Sequence, residues 1–285
     1  MTTVTSMRRR VAGAALRRYR EQCGLDVEDA AGVLSCDKSK ISRVESGERG
    51  ITRADLTRLL SCYAIPTEEW AFVGAVAGPG HPPGWWQDYR ALLPPDLLDF
   101  YSLEAAASEV LEWAPWRMPA ILQARGYARA EAEADGVPPG LLDQAGDAAV
   151  ARAEAIRRKG VPRVHVILGQ DALHRRVGGQ ETGRDQFFAL AHACEDDGDA
   201  SQFTIQILPP GTVAYPGISA GPASILLFAP RPAPGLVRVP ALSGTGHFID
   251  DPDSVDGFIQ AFIRLQSMAL SPAESAELIR TYNRS

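Results

Sequence analysis

From residue 16 to residue 50 the chain reads LRRYREQCGLDVEDAAGVLSCDKSKISRVESGERG, and its punctuation leaves few ways to fold. Val11, Ala15, Leu16 and Tyr19 recur at helical spacing through residues 8–23, and Gly24 supplies the left-handed residue that ends that helix. Asp26 follows as an N-cap, with Asp29 three residues on, where a capping box carries Glu or Gln. The second helix, Val27 to Leu34, presents Ala30, Ala31 and Leu34 inward. Ser35-Cys36 forms a short turn, and a third helix runs from about Asp37 to Ser46, closed by Gly47, with Ile41 and Val44 as its inward anchors. A fourth helix, capped by Thr52, and a fifth beginning at Thr67 complete the pattern.

Two short helices joined by a tight turn, with one helix before and two after, match a helix-turn-helix domain. Its second helix would enter the major groove of double-stranded DNA. With Ile41 and Val44 inward, Lys38, Ser39, Ser42 and Arg43 face outward, and Lys40 lies toward the flank. Lysine and arginine donate to guanine edges or phosphates, and serine hydroxyls serve either. Arg49, just beyond the helix, is placed to reach the DNA backbone. Charge is distributed to match. Residues 1–65 hold 12 Lys and Arg against 8 Asp and Glu, whereas the rest holds 17 against 27, within a chain of net charge -6.

The stretch GPGHPPG, residues 78–84, cannot continue a helix and reads as a linker between residues 1–77 and residues 85–285. Beyond it, LLDFYSLEAAASEVLEW and LLDQAGDAAVARAEAIRRK read as helices. PRVHVILG, QFTIQILPP, ASILLFAP and GLVRVPAL then read as strands, and two more helices close the chain. The expected fold is an N-terminal all-α helix-turn-helix domain followed by an α+β domain with a mostly antiparallel sheet. Trp85, Trp86, Trp113 and Trp116 cluster early in that second part, where they would line a pocket or build the seam between the domains.

Residues 16–52 resemble the XRE-type, lambda-repressor-like helix-turn-helix of bacterial regulators, and Ser39 to Gly47, SKISRVESG, is close to that family's recognition-helix signature. The resemblance implies a structural pair between Arg20 and Glu45. The blocks GWWQDYRALLP, MPAILQARGYARA, DALHRRVGG, FTIQILPPGTVAYPG and LSPAESAELI are similar to the second domain of an actinobacterial, antitoxin-like group of regulators. That likeness implies a small protein partner encoded nearby or a small-molecule effector. Three positions depart from these patterns: Val27 where a glutamine contacts DNA, Asp37 where a hydroxyl is common, and Pro240 where the group often has a glutamate.

Other motifs exclude more than they suggest. GISAG, residues 217–221, has the spacing of a nucleophile elbow, but a strand-like run follows it instead of a helix. Cys23, Cys36, Cys62 and Cys194 form no C-x-x-C pair, and the five histidines lack metal-binding spacing. CEDDGD lacks the alternation of a calcium loop. No apolar run approaches the ~18 residues of a membrane span. These observations lead to the expectation of a cytoplasmic, homodimeric, sequence-specific transcriptional regulator with no cofactor, no metal, no membrane partner and no recognisable catalytic set. The alternative is a regulator scaffold whose second domain binds or transforms a small molecule, with weakened or lost DNA binding.

Overall fold

The computed structural model describes residues 7–66, 70, 73–74, 76–77, 84–159, 162–194, 202–212, 214–217, 219–229, 235–241 and 246–283. The expected linker, apart from Gly84, lies outside the described residues, as does the start of the helix expected from Thr67. Helix α1 spans Met7–Gln22, α2 Val27–Leu34, α3 Lys38–Glu45 and α4 Arg53–Cys62. Asp26 and Asp29 exchange side-chain-to-backbone hydrogen bonds, both 2.8 Å, so aspartate completes the capping box in place of glutamate. Ser35 takes the left-handed conformation, φ 52°, and turns the chain directly into α3. Asp37 caps α3 by accepting from the Ser39 N–H, and Thr52 caps α4 through the Asp55 N–H.

Helices α1 and α3 touch backbone to backbone. A Cβ on Gly13 would stand 2.4 Å from the Val44 carbonyl oxygen, and one on Gly47 would stand 2.8 Å from the Arg10 Cα. Gly47 also has φ +78°, a second reason for glycine there. Alanine is the better helix former by about 1 kcal/mol, so a net loss in a Gly13→Ala variant isolates the steric term. That variant is expected to lose about 1–3 kcal/mol through overpacking, measured by urea unfolding.

The second half begins with a 3-10 turn, Trp85–Tyr89, and helix α5, Pro95–Glu104. Strand β1 (Glu109–Ala114) precedes helices α6 (Arg125–Ala134) and α7 (Leu142–Lys159). Strand β2 (Arg163–Gly169), helix α8 (Gly179–Cys194) and strands β3 (Phe203–Leu208) and β4 (Ala223–Leu227) come next. Strands β5 (Leu236–Pro240) and β6 (Gly246–Ile249) lead into helices α9 (Pro252–Met268) and α10 (Pro272–Asn283).

The six strands form one sheet in the order β3-β2-β1-β4-β5-β6. This corrects the expectation of a mostly antiparallel sheet. Strands β1, β2 and β3 run parallel to one another, while β4 pairs antiparallel with β1 and β5 and β6 continue antiparallel, so the sheet is mixed. Parallel neighbours need crossover connections, and α6 with α7, then α8, provide them. The stretch LLDFYSLEAAASEVLEW is likewise two elements: α5 ends at Glu104 and β1 starts at Glu109. Being buried on both faces, β1 shows no alternation to distinguish it from a helix.

One face of the sheet carries Val110, Val164, Val166 and Leu226, in a core continuous with Val11, Leu16 and Tyr19 of α1. The other carries Leu111, Ile167, Ile225 and Val237 beneath Val255, Phe262 and Leu265 of α9. Helix α5 lies between α1 and the sheet. Its Asp99 accepts from the Met7 N–H at 3.0 Å, while Phe100 and Leu103 enter the shared core. Arg10 of α1 also pairs with Asp250, just past β6.

Candidate DNA-binding face and a cavity

Helix α3 is held by a buried ion pair. Arg20 donates from Nε to Glu45 Oε1 at 2.7 Å and from Nη2 to Oε2 at 2.8 Å, and its third nitrogen caps the Leu25 carbonyl at 2.8 Å. Both side chains are only 7% exposed. The hydrogen bond to Glu45 outweighs burial and holds the Arg20 guanidinium above its ordinary range. Removing one member would strand the other charge in the interior. Arg20→Ala is therefore expected to lose about 3–5 kcal/mol of stability in chemical denaturation.

The opposite face of α3 is open. Lys38, Ser39, Ser42 and Arg43 are all exposed, as is Arg49 beyond the helix. Lys38 lies 3.4 Å from Glu28, a solvated pair of little energetic weight. Arg43 folds back along its own helix, donating to the Ser39 carbonyl at 3.1 Å and to Ser39 Oγ at 3.2 Å. Lys40 stands apart from these. It is half-buried, and its ammonium is 2.8 Å from Asp55 of α4, whose carboxyl it holds below the usual range. Asp37 is kept ionised by the Ser39 N–H at the N-terminus of α3, so its carboxylate borders the same surface.

A second feature lies in the other half. A cavity of about 780 Å³ opens where α5, α6 and α7 meet the sheet. Trp85, Trp113 and Trp116 border it, whereas Trp86 is buried outside it, against Gly84. Trp85 packs 4.8 Å from Tyr101, centroid to centroid. Trp113 turns its ring toward Tyr215 at 5.7 Å, and Trp116, 42% exposed, stands at the rim. The tryptophans thus divide between wall, rim and core.

The polar part of the cavity wall was not among the expected site residues. Glu112 pairs in register with Ser224, and Ser224 with Arg238, so the three form a row across β1, β4 and β5. Ser224 Oγ donates to Glu112 Oε2 at 2.8 Å. Above the row, Arg152 of α7 grips Glu104 of α5 through bonds of 2.9 and 2.5 Å, and Arg152 also lies 4.0 Å from Glu112. Burial opposes the Arg152 charge, but Glu104 overcomes it and raises the guanidinium above its ordinary range. A signal for part of this set does exist in the sequence: a charge inside a short apolar strand, Glu112 in EVLEWA and Arg238 in LVRVP.

Burial pushes the Glu112 carboxyl up from the ordinary 4.5 to about 7, against the opposing pull of Arg152 and Ser224. The folded state therefore binds a proton that the unfolded chain has released, and this contribution to stability falls as pH rises from 4.5 through about 7. Glu112→Gln keeps an acceptor for Ser224 and removes that titration. The variant is expected to be more stable than the parent at pH 8 by up to roughly 3 kcal/mol, with the gap closing below pH 5, in unfolding measured across pH.

Among the described residues, no group of three or more His, Cys, Asp or Glu is placed to hold a metal ion. No helix among them is long and apolar enough to cross a membrane. Ser219 of the GISAG stretch is followed by strand β4, with no intervening helix.

The short α2–α3 pair, its locked packing on α1 and its open basic face define a helix-turn-helix protein of the DNA-binding class, and residues 11–72 match a family described as a helix-turn-helix domain. Residues 97–281 match the family described as Domain of unknown function (DUF5753), and the chain belongs to that family. No curated protein and no solved structure matches the chain.

Proposed function

We propose that this protein is a sequence-specific transcriptional regulator of the XRE type, in the antitoxin-like group that its second half resembles. Residues 1–77 act as the DNA-binding domain, residues 78–84 as a linker, and residues 85–285 as the part that dimerises and receives a signal. That signal is a small protein partner encoded nearby or a small-molecule effector. The observation that carries the reading is the exposed row Lys38, Ser39, Ser42 and Arg43 on a helix whose back is fixed by the Arg20–Glu45 pair. Rigid presentation of a few side chains is what groove recognition needs.

In this reading Lys38, Ser39 and Ser42 contact base edges, while Arg43 and Arg49 contact phosphates. Arg43 leaves its bonds to Ser39 on meeting DNA, freeing the serine hydroxyl for a base. Lys40 supports a phosphate contact at the flank, tethered by Asp55. One such helix covers few base pairs, so a homodimer on a palindromic or pseudo-palindromic operator supplies the remaining specificity. Binding proceeds despite the net charge of -6 because the excess basic charge is confined to residues 1–65.

The test is fluorescence anisotropy on labelled DNA from the region upstream of its own gene, with a scrambled duplex as control and salt varied. The parent is expected to prefer the upstream duplex, with affinity falling steeply as salt rises. Lys38→Ala with Arg43→Ala is expected to abolish the preference while leaving thermal unfolding unchanged. Unchanged affinity in that double variant overturns the assignment of the face.

A further inference from the structure

We infer that the cavity between α5, α7 and the sheet is a binding site for a small organic carboxylate with a flat apolar body, and that Arg238 receives the carboxylate. The inference deepens the regulator reading by naming the effector class, and rests on it for that role alone.

The argument begins with charge. Most charged groups around the cavity already have partners. Glu104 occupies Arg152, Ser224 occupies one oxygen of Glu112, and Glu131 accepts from both Arg117 and Gln123. Arg238 is different. Among the described residues no carboxylate forms a close ion pair with it, although Glu112 and Asp96 act on it from farther away, and its Nε is buried with no hydrogen-bond partner. Its guanidinium lies over the Phe100 ring, 5.6 Å from the centroid, and burial lowers its proton affinity from the ordinary value. A buried guanidinium donor without an acceptor costs free energy that an incoming carboxylate would recover. The Phe100 ring holds the planar fork in place, which lowers the ordering cost of that contact.

The walls define the rest of the ligand. Trp85, Phe100 and Tyr101 line the cavity, as do alanines 145, 148 and 149 of α7, a set of aromatic and small side chains suited to a flat ring system. A cavity of about 780 Å³ lined by aromatic and alanine side chains together with charged and polar ones has the size of a small-molecule site. The anionic end of a ligand at Arg238 would have the Glu112–Ser224 pair beside it, a donor and acceptor set for one further polar substituent. A single guanidinium with one unpaired nitrogen suits one carboxylate better than a polyphosphate.

The position of α5 supplies a route outward. Phe100 and Tyr101 border the cavity, and Asp99, one residue earlier, holds the N–H of Met7 at the start of α1. Helix α1 in turn carries Gly13 and Arg20, the residues against which α3 is seated. A ligand that moves α5 therefore acts on the element that orients the recognition helix.

Isothermal titration of the full chain without DNA, using 1-naphthoate and the neutral 1-naphthamide as probes, tests the site. Naphthoate is expected to bind at one site per chain, about tenfold tighter than the amide or more, the scale of one charge-assisted hydrogen bond. Arg238→Met is expected to erase the difference between the two probes. Ala149→Trp, which fills cavity space from α7 and leaves Arg238 unaltered, is expected to abolish binding of both, so a misfolded Arg238 variant would not leave the question open. Absence of naphthoate binding to the parent, equal binding of acid and amide, or binding unaffected by both variants would overturn the inference. Naphthoate binding in a protein that fails to select its upstream duplex would keep the site and reject the regulator reading.

Discussion

Helix α1 is buried from two sides, and the arrangement of both halves follows from that. On one side Gly13 admits the backbone of α3 and Arg20 neutralises Glu45, so α3 cannot slide or rotate without opening a buried ion pair. On the other, the N-terminus of α1 meets Asp99 of α5, and Arg10 reaches Asp250. Asp99 lies where the first unsatisfied N–H groups of a helix and its positive end coincide, a favourable site for a carboxylate. Arg8 is buried beside the same carboxylate, whose charge offsets part of its desolvation. The recognition helix is thus seated on a helix that is itself seated on the second half of the chain.

Two polar centres among the described residues answer the cost of burying charge differently. The Arg20–Glu45 pair is complete: every bond the geometry allows between fork and carboxylate is made, and the remaining nitrogen finds a carbonyl. Such a pair sets orientation and does little else. The row at Glu112, Ser224 and Arg238 is incomplete, with a carboxyl pushed up toward neutrality at one end and a guanidinium Nε lacking an acceptor at the other. An interior fashioned for stability alone would put apolar side chains in these sheet positions, as it does at Val110 and Leu226 on the same face. Perturbed and under-satisfied groups at a cavity are the usual mark of a site that meets something else.

Much of the first half was legible from the chain, and the reason is locality. Capping by Asp26 and Thr52, the left-handed glycines at 24 and 47, and the inward spacing of Ile41 and Val44 all express interactions within one or two helical turns. The strands β2 to β5 were legible too, because proline and glycine bound short apolar runs. Strand β1 was hidden, since the centre of a sheet buries both faces and removes the alternation that marks a strand. The terminal strand β6, GHFI, is too short and too mixed to show any period.

What the sequence determined by itself, then, is the set of helices at the N-terminus, the basic character of α3 and the presence of a sheet beyond residue 162. These depend on neighbours a few residues apart, and side-chain type alone encodes them. Only the tertiary structure decided that the sheet is mixed, because strand direction depends on which helices cross over and which face they cover. Only it decided that Lys40 is tied to Asp55 while Arg43 stays at the surface, a matter of where α4 packs. And only it brought Glu104, Glu112, Arg152, Ser224 and Arg238 around one cavity, since their association is written in strand register and helix packing between residues far apart in the chain.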